Sequence, residues 1–288
     1  MACRCCLSCL ILKKPVREIL NKSAPKTCDL DPIPSSLLFE CPDTILRTLT
    51  AVKNKSLTSG IFPQVYKAAI VKPLLKKSSL DHNDLKNFRP VSNLFFVSEI
   101  IEKVITFQLF SHLSRNQLFN PFQSAYRPGH STETALLKVM NDLLRSLDHG
   151  NISVLTLLDL SAAFDTTDHT ILLQRFEHAF GIHDTALHWF SSYLTNRTQT
   201  VTVNNCSSAL VTISCGVPQG SVLGPVLFVL YTAPLSDVMD SHSVLQHSFA
   251  DDIQLKKSAL PQQVYELIQS MQQCVYDVKS WMAHNKLN

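Results

Sequence analysis

Glycine is scarce in this 288-residue chain: there are seven, where an average usage of about 7% would give roughly twenty. With no internal repeat and no biased tract beside that scarcity, a low-complexity or repeat architecture is excluded. A dominant charge of one sign is also missing. The formal charge is +3 and the sequence pI about 8.3, so any site for a polyanion has to be local. Long apolar runs are absent too. The stretch from Cys5 to Leu12 is too short to span a bilayer and has no small-residue cleavage site, so neither a membrane helix nor a signal peptide is expected. The nine cysteines are odd in number and form no paired framework, which points to a reducing, intracellular compartment. Cys3, Cys6 and Cys9 make two overlapping C-x-x-C spacings but lack the distant second pair of a tetrahedral zinc site. The eleven histidines form no H-E-x-x-H spacing and receive no catalytic role.

A hydrophobic fraction of 45% over this length is enough to bury a sizeable core. Residues 1–55, with three prolines in "KSAPKTCDLDPIPSSLL", are expected to be a loosely packed lead-in to a folded domain over 56–288. Val97, Ile100, Ile101, Val104, Ile105, Leu109 and Leu113 repeat at three and four, the spacing of a helix. A second helix is expected from Leu136 through Val139, Met140, Leu143 and Leu147, capped by Ser131 or Thr132. "SVLTLLDLS" is a near-continuous apolar run that predicts a strand buried on both faces, with Asp159 at its exit. Asp168 is placed to cap the following helix and Gly181 to end it. "QTVTV" and "LVTIS" predict a hairpin, as do "SVLQHSFA" and "IQLKK", the latter with Asp251 and Asp252 at or near its turn. A final helix carries Val264, Leu267, Ile268, Met271, Val275, Val278 and Met282 on one stripe. The class is α+β.

Asp251 and Asp252 stand side by side with no Lys or Arg between His247 and Leu255 to neutralise them. Carboxylates held together resist joint ionisation unless a cation or hydrogen-bond donors compensate. An aspartate pair at a turn is commonly solvated turn chemistry. Combined with a strand-end Asp159, it instead makes three carboxylates available to magnesium, which takes oxygen ligands. "GVPQGSVLGP" holds three of the seven glycines and is not a phosphate loop, because no Lys-Ser or Lys-Thr follows it. Taken alone it is a flexible turn before an apolar helix.

Order changes the weight of these signals. A basic segment ending "NFRPVS" is followed by "LLDLSAAFDTTDH", then "GVPQGSVLGPVLF", then "FADD". That succession resembles the blocks of reverse transcriptases of non-long-terminal-repeat, jockey-like retrotransposons. The resemblance covers about residue 15 to the end and includes "CDLDPIPSSLL", "FQSAYRPGHSTETALLKV" and "WFSSYLTNRTQ".

The resemblance implies a right-hand polymerase with fingers and an antiparallel palm sheet backed by helices, and no thumb within these residues. It implies RNA-directed DNA synthesis on an RNA template and DNA primer from deoxynucleoside triphosphates, with two magnesium ions or manganese in their place. Asp159 and Asp251 become metal ligands and Asp252 a supporting one. Phe164 becomes the ring over the incoming sugar, although by composition alone it is a core residue. Gly216 and Gly220 let the backbone approach template and base, and Gln219 adds a polar contact. Arg89 and Lys76 grip the triphosphate, with Lys72 or Lys77 as substitutes for Lys76. Asp165 and Asp168 are assigned to helix-start hydrogen bonding. The chain stops at "WMAHNKLN", so the rival class is an inactive remnant that binds nucleic acid without polymerising. A viral RNA-copying polymerase fits less well, because such enzymes carry an acid where this chain has Phe164.

Overall fold

Local signals set most of the elements. The structure, a computed structural model, describes residues 14–25, 28–160 and 164–287. The Cys3, Cys6 and Cys9 spacings therefore lie outside the described residues. In chain order the first elements are α1 (Lys14–Asn21), α2 (Ser35–Glu40), α3 (Pro42–Ser59), β1 (Ala68–Leu75), β2 (Phe88–Asn93) and α4 (Phe96–Arg115). Next come α5 (Thr132–Asp148), β3 (Ile152–Asp159), α6 (His169–His178), α7 (Asp184–Leu194), β4 (Arg197–Val203), β5 (Cys206–Ser207) and β6 (Val211–Ile213). The last are α8 (Gly224–Thr232), α9 (Leu235–Ser241), β7 (Leu245–Phe249), β8 (Asp252–Ala259) and α10 (Val264–His284). None of the described helices is long and apolar enough to cross a membrane.

The chain divides into two units that do not follow the order of the sequence. One comprises residues up to 118 together with 172–224, and the other 119–171 with 225–288.

In the first unit β1 pairs antiparallel with β2 and parallel with β4, and β4 also pairs antiparallel with β5 and β6. Its aromatic core stacks Trp189 on Tyr193 with ring centroids 5.5 Å apart at 9°, and Phe62 meets both edge-on. The indole is not left with a buried donor, because Trp189 Nε1 donates to Ser56 Oγ at 2.9 Å. The expected loose lead-in differs from what is found. Residues 14–21, 35–40 and 42–59 are helical, and Val16, Leu20 and Leu49 are buried in one cluster with Phe96, Ile100 and Val104 of α4. The prolines mark breaks between helices: Pro34 precedes α2 and Pro42 opens α3, positions where a missing N–H costs nothing.

The second unit is a three-stranded antiparallel sheet in the order β3, β8, β7. One face is packed by α10, which buries Leu267, Met271, Cys274 and Val278, while Ile253 and Leu255 of β8 are buried. Val264 and Ile268, expected on the α10 stripe, are exposed. The helix α5 packs on β3 and β7. Ser131 opens α5 with a capping box, its Oγ accepting from Thr134 N while Thr134 Oγ1 accepts from Ser131 N.

One expectation fails here. β3 is an edge strand, so Leu155 and Leu157 are 42% and 68% exposed and the strand is not buried on both faces. The expected helix α5 is present with Ser131 as its cap, but it buries only Ala135 and Val139, and Leu136, Met140 and Leu147 are exposed. An apolar run reports its propensity to be covered, and the topology decides whether a partner is present.

Candidate functional site

In the second unit, the last residue of β3 is the direct antiparallel partner of the first residue of β8: Asp159 faces Asp252. On the other side of β8, Phe249 at the end of β7 also pairs with Asp252. The β7–β8 connection is therefore Ala250 and Asp251 alone. Ala250 has a φ of 60° and Asp251 is not left-handed, the pattern of a type II′ hairpin, whose first central position is usually glycine. Alanine in that conformation costs about 1–2 kcal/mol, so neighbouring contacts have to hold it. The turn also answers the problem of two adjacent aspartates on a strand, whose side chains would point to opposite faces. Only Asp252 is in the ladder.

Directly opposed residues of an antiparallel pair hold their Cβ atoms about 4.5–5.5 Å apart, and like charges so placed repel. Asp159 and Asp252 are both exposed, and Asp251 is half-buried beside them in the chain. Tyr126 senses the same charge: burial raises its phenol above the usual range, and Asp251 raises it further. Among the described residues no three His, Cys, Asp or Glu side chains are grouped so that they could hold a metal ion. Magnesium does not need such a group, since it is typically held by one or two protein carboxylates and completes its shell with water and substrate phosphate. An oxygen-only set, paired by register beside the β7–β8 turn, fits such an ion and does not fit the thiolate or imidazole sites of softer metals.

Phe164 lies half-buried with its ring centroid 5.3 Å from that of Phe228 in α8. Asp168 is engaged structurally. Its Oδ1 accepts from Thr170 N at 2.9 Å and Ile171 N at 3.0 Å, and its Oδ2 pairs with Lys286 at 2.5 Å. Burial would raise this carboxyl, but those bonds outweigh it and hold it low. Asp165 moves the other way, raised by burial.

The remaining predicted residues lie in the first unit. Arg89 on β2 is opposite Leu74 on β1, and Lys76 follows the end of β1; both are exposed. Lys72 makes an exposed ion pair with Asp29 at 3.1 Å. The glycine loop docks on the same sheet: Ser92 N donates to Gln219 O at 2.7 Å. Blocks separated by some 130 residues in sequence are thus joined by a backbone bond. Gly216 is buried and Gln219 half-buried. At Gly220, φ is 106° and an added Cβ would come within 3.0 Å of Ser92 O. Gly220→Ala is expected to destabilise the first unit by about 1–3 kcal/mol, read from the denaturation midpoint. An unchanged midpoint would show that the loop is free to move off β2.

One residue absent from the sequence reading organises this loop. Glu102 of α4 is fully buried; its Oε2 accepts from Val222 N at 2.8 Å and Leu223 N at 3.2 Å, and Ser98 Oγ donates to its Oε1 at 3.0 Å. Burial raises its carboxyl, opposed first by the charge of Arg197 and then by these bonds. Arg197 is itself buried, its guanidinium 4.8 Å from the centroid of the Tyr193 ring, and Nη1 donates to Tyr193 O at 3.1 Å. The signal was available in sequence as an acid inside the apolar stripe between Ile101 and Val104.

With these features in place, comparison with known proteins is decisive about the class. The model of the reverse transcriptase (RNA-dependent DNA polymerase) family matches residues 74–288, and the chain belongs to that family. More particularly, it is 31% identical over 247 residues to the RNA-directed DNA polymerase from mobile element jockey of Drosophila melanogaster, a match covering 84% of this chain and 26% of that protein. It is 28% identical over 244 residues to the jockey polymerase of Drosophila funebris, covering 83% and 26%. A probable RNA-directed DNA polymerase from transposon BS of Drosophila melanogaster is 28% identical over 257 residues, covering 85% and 28%. The domain is thus of the non-long-terminal-repeat retrotransposon kind that its sequence blocks resemble. The chain spans about a quarter of the length of these relatives.

Proposed function

We propose that this chain performs RNA-templated DNA synthesis, adding deoxynucleotides to a primer 3′-hydroxyl with release of pyrophosphate, inside the cell. In this reading the second unit is the palm and the first contributes the fingers. Asp159 and Asp251 hold two magnesium ions, with Asp252 in support; manganese is the alternative. When bound, these ions lower the barrier to attack by the primer hydroxyl and neutralise charge on the leaving pyrophosphate. The chain's own residues do the rest. Arg89 binds triphosphate oxygens through its planar fork and Lys76 supplies a point charge. Gln219, Gly220 and Gly216 present polar and backbone surface to the nucleotide and template strand, where a side chain at either glycine would intrude. The observation that carries the reading is the register of Asp159 opposite Asp252 with Asp251 in the adjoining two-residue turn.

The test is extension of a DNA primer on an RNA template with magnesium and deoxynucleotides. Template-dependent extension is expected; duplex binding that weakens with salt but never extends would favour the binding remnant instead.

Within the same assay, Phe164→Val probes sugar selection. The ring is held on one side by Phe228, so shortening it should open space without moving the backbone. Ribonucleotide use relative to deoxynucleotide use should rise about 10- to 100-fold, the scale of a steric exclusion of a small group. Unchanged selectivity would return Phe164 to a packing role.

A further inference from the structure

The left-handed residue of the β7–β8 turn is gripped by a side chain from a separate segment of the same unit. Residues 122–125 run alongside β7: Ser248 N donates to Phe122 O at 2.8 Å, and Ser124 N donates to Ser248 O at 2.9 Å. This places Gln123, only 6% exposed, against the turn. Its Oε1 accepts from Ala250 N at 3.1 Å and from Ala125 N at 2.9 Å, while its Nε2 donates to Ala250 O at 3.4 Å. Two backbone donors face one end of the carboxamide and a carbonyl faces the other, so the orientation of the amide follows from its partners. A primary amide is suited to this task, because it offers an acceptor and a donor side by side in one plane to the N–H and C=O of a single residue.

We propose that Gln123 is a positioning residue for the metal-binding turn. It holds Ala250 in the left-handed conformation that places Asp251 in the turn and starts β8 with Asp252 opposite Asp159. The inference rests on the reading of these aspartates as metal ligands. Glycine at position 250 would adopt this conformation unaided but would also populate others. Alanine with Gln123 confines the turn to one conformation, so that the carboxylates are preorganised before an ion arrives.

The experiment uses the full chain as wild type, Gln123→Ala, Gln123→Met, Ala250→Gly and the double variant Gln123→Ala with Ala250→Gly. Methionine keeps the buried volume and removes the bonds, and so serves where alanine does not fold. Manganese binding is measured by electron paramagnetic resonance of the free ion, and exchange of the Ala250 and Ala125 amides by hydrogen–deuterium exchange. Loss of the carboxamide should weaken manganese binding about tenfold, an effect of one displaced ligand contact. It should speed exchange of both amides at least as much relative to amides in the middle of β8. Ala250→Gly should restore most of the manganese affinity in the Gln123→Ala background, which it could not do if Gln123 were only a core filler. Faster exchange with unchanged manganese affinity, or no rescue by glycine, would overturn the positioning role. Unchanged exchange would overturn the grip itself. If wild type binds manganese no better than Asp251→Asn does, the metal reading fails, while exchange still decides whether Gln123 holds the turn.

Discussion

Asp251→Asn is expected to abolish metal-dependent nucleotide incorporation, lowering it at least about 10³-fold. The substitution keeps shape and turn preference and removes only charge. A loss of that size corresponds to about 4 kcal/mol of transition-state stabilisation, the scale on which single electrostatic contributors act in preorganised sites. At Asp252 stability should respond in the opposite sense. Asp159 and Asp252 are directly paired, with Asp251 next in the chain, so removing one charge in metal-free buffer relieves repulsion. Thermal denaturation should therefore show an unchanged or slightly raised midpoint for Asp252→Asn. A structural aspartate behaves differently: Asp168 caps α6 and pairs with Lys286, so its replacement should lower the midpoint. Retained incorporation by Asp251→Asn would remove Asp251 from the proposed metal ligands.

Glu102→Ala is expected to be among the most damaging substitutions for stability, at about 3–5 kcal/mol, because it empties a fully buried site and leaves the donors that close on the carboxyl without an acceptor. Val222 N and Leu223 N lose their acceptor, and Ser98 loses its partner. Glu102→Gln retains an acceptor and should cost distinctly less. The comparison carries a pH signature. Burial raises the folded-state pKa of Glu102 above its ordinary value of 4.5, so the folded state favours the protonated form. The stability this contributes is complete below the unfolded pKa and is lost as pH rises through the folded one. The advantage of wild type over Glu102→Gln, followed by denaturant unfolding, should accordingly narrow as pH increases from about 4.5. An advantage that widens over that range would mean that Glu102 is held as a carboxylate. Since the same carboxyl anchors the loop carrying Gln219 and Gly220, Glu102→Gln should also raise the KM for deoxynucleotides more than it lowers kcat.

Much of the candidate site could be read without coordinates, and the reasons are local. A strand-length apolar run ending in an acid put Asp159 at a strand terminus, and two alternating arms put the aspartate pair at a hairpin. Ser131 and Asp168 were readable as caps because a cap acts on the backbone two or three residues away. What was not readable depends on distant parts of the chain. Nothing within several residues of Gln123 announces that its amide will close on Ala250, 127 residues later. Nothing in the leucines of α5 says which of them a sheet will cover. Prolines in the lead-in imply loose packing if they only break order, whereas here they separate helices that pack on α4.

By itself, then, the sequence determined the kind of each element and the residue types available for chemistry, because periodicity, capping and turn preference act over a few neighbouring residues. The tertiary structure decided the rest: the register that sets Asp159 against Asp252, the exposed edge at β3, the grip of Gln123 on a left-handed alanine and the burial of Glu102 under the glycine loop. These depend on which surfaces meet after the chain has folded back on itself, and a contact between residues a hundred positions apart leaves no trace in the local pattern of either.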